Sequence, residues 1–138
     1  MHQEIIKQIK NNYTGEVTES IIINGKNYAF NCQWKKHIHI IFSPKNLLIT
    51  ETNFSEIKKL VFTSIIFRSP QYSLRGNKTI LTEKLLSNQY TRALLYFRDS
   101  KITCQNNQII YSARLRKKDS AQLETIISYF KELLNSLN

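Results

Sequence analysis

The stretch IIINGKNYAFNCQWKKHIHIIF, residues 21–42, decides the fold. Asn24-Gly25 is the strongest short hairpin signal in the chain, because both residues accept the positive φ that a type I′ turn demands. It sets Ile23 opposite Lys26 and Ile21 opposite Tyr28. Downstream, Tyr28, Phe30, Cys32 and Trp34 alternate with Ala29, Asn31 and Gln33, the period-two pattern of a half-buried strand. Ile38, Ile40 and Phe42 repeat it in a third strand, with His37 and His39 on the opposite face.

The link between these two strands has two readings. A two-residue loop at Lys35-Lys36 would place Cys32 opposite His39, within reach as metal ligands or as a nucleophile and its base. A three-residue loop instead pairs Trp34 with Ile38, Cys32 with Ile40 and Phe30 with Phe42. Only the second keeps the large apolar side chains on one face, and a one-residue slip would turn the whole strand over. Burial therefore selects the longer loop. Cys32 is expected to be a core thiol, and no metal site is expected.

Working outward, Ile5, Ile6, Ile9 and Tyr13 have helical spacing over residues 4–13. A short fourth strand is readable at residues 47–49. Asn53 and Glu56 have capping-box spacing and predict a helix from Phe54 to about residue 62; residues 60–67 read equally as strand. Pro70 ends that element, and residues 71–79 read as a loop. Thr82 is a candidate cap for a helix through Leu85 and Leu86. Residues 91–98 read as helix, with strand as the alternative. A second hairpin turns at Asn106-Asn107 and pairs Cys104 with Ile109 and Ile102 with Tyr111. Asp119 then reads as the cap of a final helix whose stripe is Leu123, Ile126, Ile127, Phe130, Leu133, Leu134 and Leu137. The predicted fold is one α+β domain over residues 1–138: an antiparallel meander and a second hairpin, packed on one face by helices that include a long amphipathic C-terminal one.

The composition is globular, with 41% hydrophobic and 22% charged residues and only 3 Gly and 2 Pro. No apolar run approaches the length of about 20 residues that a membrane span needs. No secretory leader is evident, so a soluble, cytoplasmic protein is expected. Isoleucine, lysine and asparagine make up a third of the chain. All three have AT-rich codons, which points to a low-GC source such as a bacterium or its phage. The two cysteines form neither a disulfide framework nor a zinc module. No P-loop, GxGxxG, GxSxG, HExxH or calcium-loop pattern is present, so no cofactor and no catalytic residue is assigned.

Charge is the functional lead. The net charge is +10, and the excess lies in one window from Lys58 to Lys118, where thirteen basic residues face only Glu83 and Asp99. All six arginines fall inside it. AT-rich coding accounts for lysine but not for clustered arginine, whose planar fork binds phosphate and carboxylate in bidentate fashion. The residues expected to hold a polyanion are Arg68, Tyr72, Arg75, Lys78, Arg114, Arg116, Lys117 and Lys118. Tyr72 is included as a base-stacking group in the loop with Arg75 and Lys78. The plain alternative is a solvated basic face without a partner. The expected function is a small non-catalytic binding module for nucleic acid or another polyanion. A second expectation is an adaptor that docks an acidic protein, and a third is an enzyme of unrecognised type. The sequence does not set an oligomeric state.

Overall fold

Strands β1 (Gly15–Ile23) and β2 (Lys26–Trp34) meet at Asn24 and Gly25, whose φ angles of 52° and 77° make the two-residue turn the sequence demands. Strand β3 (His37–Pro44) returns in the register that burial selects: Trp34 opposite Ile38, Cys32 opposite Ile40, Phe30 opposite Phe42. Cys32 is thus fully buried, while His39 is exposed on the other face. The structure, a computed structural model, describes residues 3–45, 54–59, 72–105 and 108–137.

The remaining strands are β4 (Phe54–Lys59), β5 (Tyr72–Gly76), β6 (Arg98–Gln105) and β7 (Gln108–Arg116). Together they form one antiparallel sheet in the order β1-β2-β3-β7-β6-β4-β5. In the second hairpin Cys104 is opposite Ile109 and Ile102 opposite Tyr111, as the alternation requires. Its turn at Asn106-Asn107 lies outside the described residues, as do Arg68, the strand expected at 47–49 and the ambiguous segment 60–67.

Four helices lie against one face: α1 (Gln3–Asn11), α2 (Ile80–Leu86), α3 (Gln89–Leu95) and α4 (Leu123–Ser136), the last preceded by a 3-10 turn at Lys117–Gln122. Helix α4 buries Leu123, Ile126, Ile127, Phe130 and Leu133. Phe130 stacks on Phe42 with ring centroids 4.4 Å apart and meets Tyr28 edge-on at 5.6 Å. Tyr111, also buried, donates its hydroxyl to the Leu94 carbonyl at 2.6 Å and so fastens α3 to the sheet. Trp34 anchors the N-terminal segment. Its indole N–H donates to the Asn12 carbonyl at 3.0 Å, and its ring lies where a Cβ on Gly15 would sit, 2.2 Å away.

Several local expectations are corrected. Residues 54–59 are a strand, not a helix. Ile57 lands between Ile102 and Leu74, and Ser55 lands beside Cys104, so β4 forms ladders on both edges. That pairing outweighs a capping-box signal, which is worth only about 1 kcal/mol. Residues 72–76 are β5 rather than loop, for the same reason. Helix α2 is capped by Thr79; Thr82 is the reciprocal partner inside the box, bonding back to the Thr79 N–H at 2.8 Å. Residues 91–95 are helical, but Arg98 already belongs to β6. Asp119 does not cap α4. It sits within the 3-10 turn and pairs with Arg116 at 2.9 Å. Tyr13 lies past the end of α1 and is exposed.

Candidate polyanion-binding face

Strict alternation gives the sheet two chemically different sides. One carries Phe30, Cys32, Ile40, Phe42, Tyr111 and Leu115 under the helices. The other, on β7, carries Ser112, Arg114 and Arg116, and the register brings their neighbours into rows. Arg114 is opposite His39 on one side and opposite Arg98 on the other. Arg116 is opposite His37. Like charges directly across a ladder are destabilising. This side of the sheet therefore concentrates positive charge, with Asp99 and Asp119 as its nearby counterions.

A bulge makes the Arg98–Arg114 row. Between Arg98 and Lys101 the register shifts, and Asp99 takes a φ of 51°. Extended without the shift, the hairpin would aim Arg98 at the helix-covered side beside Leu115. The extra residue re-aims it outward. Asp99 lies 2.8 Å from Arg114 and supplies partial neutralisation. Among the described residues Arg98 has no ion pair. The local field shows in His37, whose pKa is held below the ordinary histidine value, first by desolvation and then by the charges of Arg114, Lys36, Arg98 and His39.

A hollow of about 430 Å³ opens at this corner, lined by His37, Tyr96, Phe97, Arg98, Arg114, Leu115, Arg116, Asp119 and Gln122. A second, of about 560 Å³, opens on the other flank of the 3-10 turn and includes Lys10, Tyr13, Lys117 and Lys118 in its wall.

The expected site residues are thus divided. Arg114 and Arg116 come together, beside the first hollow. Lys117 and Lys118 turn away to the second, where the Lys117 ammonium donates to the Tyr13 carbonyl at 2.7 Å and lies 4.3 Å from the centre of its ring. Arg75 is on the same face as Arg114 but three strands away at the sheet edge and in the row of Ile110, four residues along β7, roughly 14 Å across the strands and about 13 Å further along them. There Arg75, Lys58 and Lys101 converge on the buried carboxylate of Glu56 at 3.9, 3.2 and 3.8 Å. Lys78 lies exposed in the link from β5 to α2. Tyr72 is separated from all of these: it shares the helix-covered side with Leu74 and packs against the core. Arg68 is outside the described residues.

Sequence reading missed Arg98, His37 and Tyr96 as neighbours of Arg114. The outward placement of His37 was readable from β3. That of Arg98 was not, because a bulge leaves no alternation signal at its own position.

Neither cysteine belongs to the site. Burial pushes the Cys32 thiol up to about 12 and the Cys104 thiol up to about 11, the latter against a smaller opposing contact from Ser55. Among the described residues no group of three or more His, Cys, Asp or Glu is placed to hold a metal ion, and no helix is long and apolar enough to cross a membrane. Compared with known proteins, the chain matches no family model, no curated protein and no solved structure.

Proposed function

We propose that the chain is a non-catalytic binding module that holds a polyanion, foremost the phosphate backbone of nucleic acid, on the cationic side of its sheet. One observation carries this reading. Arg98 and Arg114 are placed opposite each other by a bulge that requires a left-handed Asp99, next to Arg116 and the two histidines of β3. A like-charge row costs stability, and Asp is among the few non-glycine residues that accept the left-handed conformation this bulge needs. An incoming phosphate relieves the repulsion and accepts bidentate hydrogen bonds from arginine. Recognition of this kind is backbone-led and steeply salt-dependent.

A second reading, an acidic protein partner, is favoured by one feature of the same side. Ile22 and Ile41 point outward from it, 71% and 43% exposed, and suit an apolar contact better than a phosphate. Competition separates the two: heparin and random-sequence DNA displace a nucleic acid probe, whereas an acidic protein with apolar contacts resists them.

The direct test is the reversal Arg114→Glu with Arg116→Glu, assayed against short nucleic acids at about 0.15 M salt, where diffuse attraction is largely screened. Affinity should fall at least tenfold, and the salt slope should drop by about two, one for each lost phosphate contact. Absence of binding by the unaltered protein, or indifference to the reversal, refutes the proposal.

A further inference from the structure

We infer that the preferred polyanion is single-stranded nucleic acid, laid across the 3-10 turn at Lys117–Gln122 so that unpaired bases stack on Tyr96 on one flank and Tyr13 on the other. This rests on the polyanion reading above and goes beyond it, because charge alone does not distinguish a single strand from a duplex.

The observation is a repeated arrangement. Each flank of the turn has a hollow, and each hollow combines cations with one exposed tyrosine. On the β6–β7 side, Arg98, Arg114 and Arg116 share the wall with Tyr96, which is 75% exposed and is held edge-on to Phe97 at 5.9 Å. On the α1 side, Lys10, Lys117 and Lys118 share the wall with Tyr13, which is 74% exposed. These two are the aromatic members of a short set of exposed large hydrophobic residues, the others being three isoleucines. Most other described aromatic residues are buried or packed against the core.

Such rings have a clear use in nucleic acid binding. Every base has a π face, so an aromatic ring beside a cationic groove holds a strand without reading its sequence. A duplex keeps its base faces stacked internally and cannot offer them. The local geometry also readies both rings. Lys117 lies against the Tyr13 ring and fixes it by a cation–π contact and a bond to the Tyr13 backbone. Tyr96 stands at the C-terminal end of α3, one short step before Arg98, so ring and guanidinium come from a single rigid corner. The turn between the hollows follows directly on β7 and is short, about 2 Å of rise per residue, which suits a path of a few nucleotides.

The experiment compares four labelled probes of equal length at about 0.15 M salt: single-stranded DNA, single-stranded RNA, duplex DNA, whose higher charge density favours it wherever charge alone decides, and an abasic strand that keeps phosphates and sugars but lacks bases. The unaltered protein should bind the two base-bearing single strands at least fivefold more tightly than the abasic strand and the duplex, since stacking on one ring is worth about that much or more. Tyr96→Ala and Tyr13→Ala should each remove most of that preference while leaving abasic and duplex affinity unchanged; Tyr96→Phe and Tyr13→Phe should retain it. Thermal melting of each variant checks the fold, and the abasic comparison needs no variant. If all four probes bind equally, or the alanine variants keep the full preference, the stacking inference is overturned while the charge-based function stands. If none of the probes binds, both fall together.

Discussion

The two sides of this sheet are built from the same strands and obey opposite rules. Under the helices, most choices favour stability: Phe30, Phe42, Tyr111 and Phe130 form one aromatic cluster with centroids 4.4 to 6.3 Å apart, and the Tyr111 hydroxyl has its partner, while the buried Thr91 hydroxyl lacks one among the described residues. On the other side, Arg98 stands opposite Arg114, which Asp99 only partly neutralises at 2.8 Å, Arg116 stands opposite His37 and pairs with Asp119, and Asp99 takes a left-handed backbone conformation to form the bulge. The contrast teaches that one alternating pattern builds an apolar core on one side and gathers an excess of cations on the other. Counterions sit on this side as well, Asp99 on Arg114, Asp119 on Arg116 and Glu56 among Arg75, Lys58 and Lys101, but in both places the cations outnumber them.

Substitutions can break or sharpen this contrast. The largest loss is expected at Phe130→Ala, which removes the ring stacked on Phe42 and opens a cavity between α4 and the sheet. Urea denaturation should show a loss of about 3–5 kcal/mol, a large part of the 5–15 kcal/mol that is roughly typical of a whole domain. A loss below about 1 kcal/mol would mean that α4 is not the central cover.

Tyr111→Phe keeps the ring and deletes the hydroxyl that bonds Leu94. The buried carbonyl is left without its donor, so a loss of about 1–3 kcal/mol is expected by the same measurement. Hydrogen exchange should also quicken in α3. No change in α3 protection would argue that the helix is held by packing alone.

The thiols test the same side chemically. At about pH 8, Cys32 and Cys104 should react with a thiol reagent only as fast as the protein unfolds, since burial keeps both protonated and out of reach. Rapid labelling of either in the native protein would contradict the β2–β3 or β6–β7 register.

The smallest effect has the opposite sign. Arg98→Thr removes one member of the like-charge row and places a good strand former on an exposed site. Stability should rise by up to about 1 kcal/mol, and the gain should shrink as salt screens the repulsion in the unaltered protein. Polyanion affinity should fall in the same variant. A stability gain together with a binding loss would establish that the row is retained at the expense of folding. A stability loss would mean that Arg98 has a structural role.

Much of the covered side was legible in the sequence, and the reason is periodicity. Residues 21–42 alternate so cleanly that only one register buries Phe30, Cys32 and Trp34 with Ile38 and Ile40, and that register is the one observed. The second hairpin and the α4 stripe were legible on the same ground. The β4–β5 edge was misread because its signals are short. Phe54, Ile57 and a capping-box spacing fit a helix as well as a strand, and a six-residue segment carries too few apolar positions to separate the two periods.

The candidate site divides along the same line. Arg114 and Arg116 were readable as outward neighbours because they alternate with Leu115. Tyr72 lies on the opposite side from them, and that was not legible because its face depends on β5 pairing with β4, a contact its own sequence does not announce. By itself, then, the sequence determined the antiparallel α+β core and the abundance of arginine between Lys58 and Lys118, since hydrophobic period and composition are local properties. Only the tertiary structure decided which cations meet. Whether Arg98 joins Arg114 depends on a single extra residue at Asp99, and one residue of register is enough to move a side chain from one side of a sheet to the other.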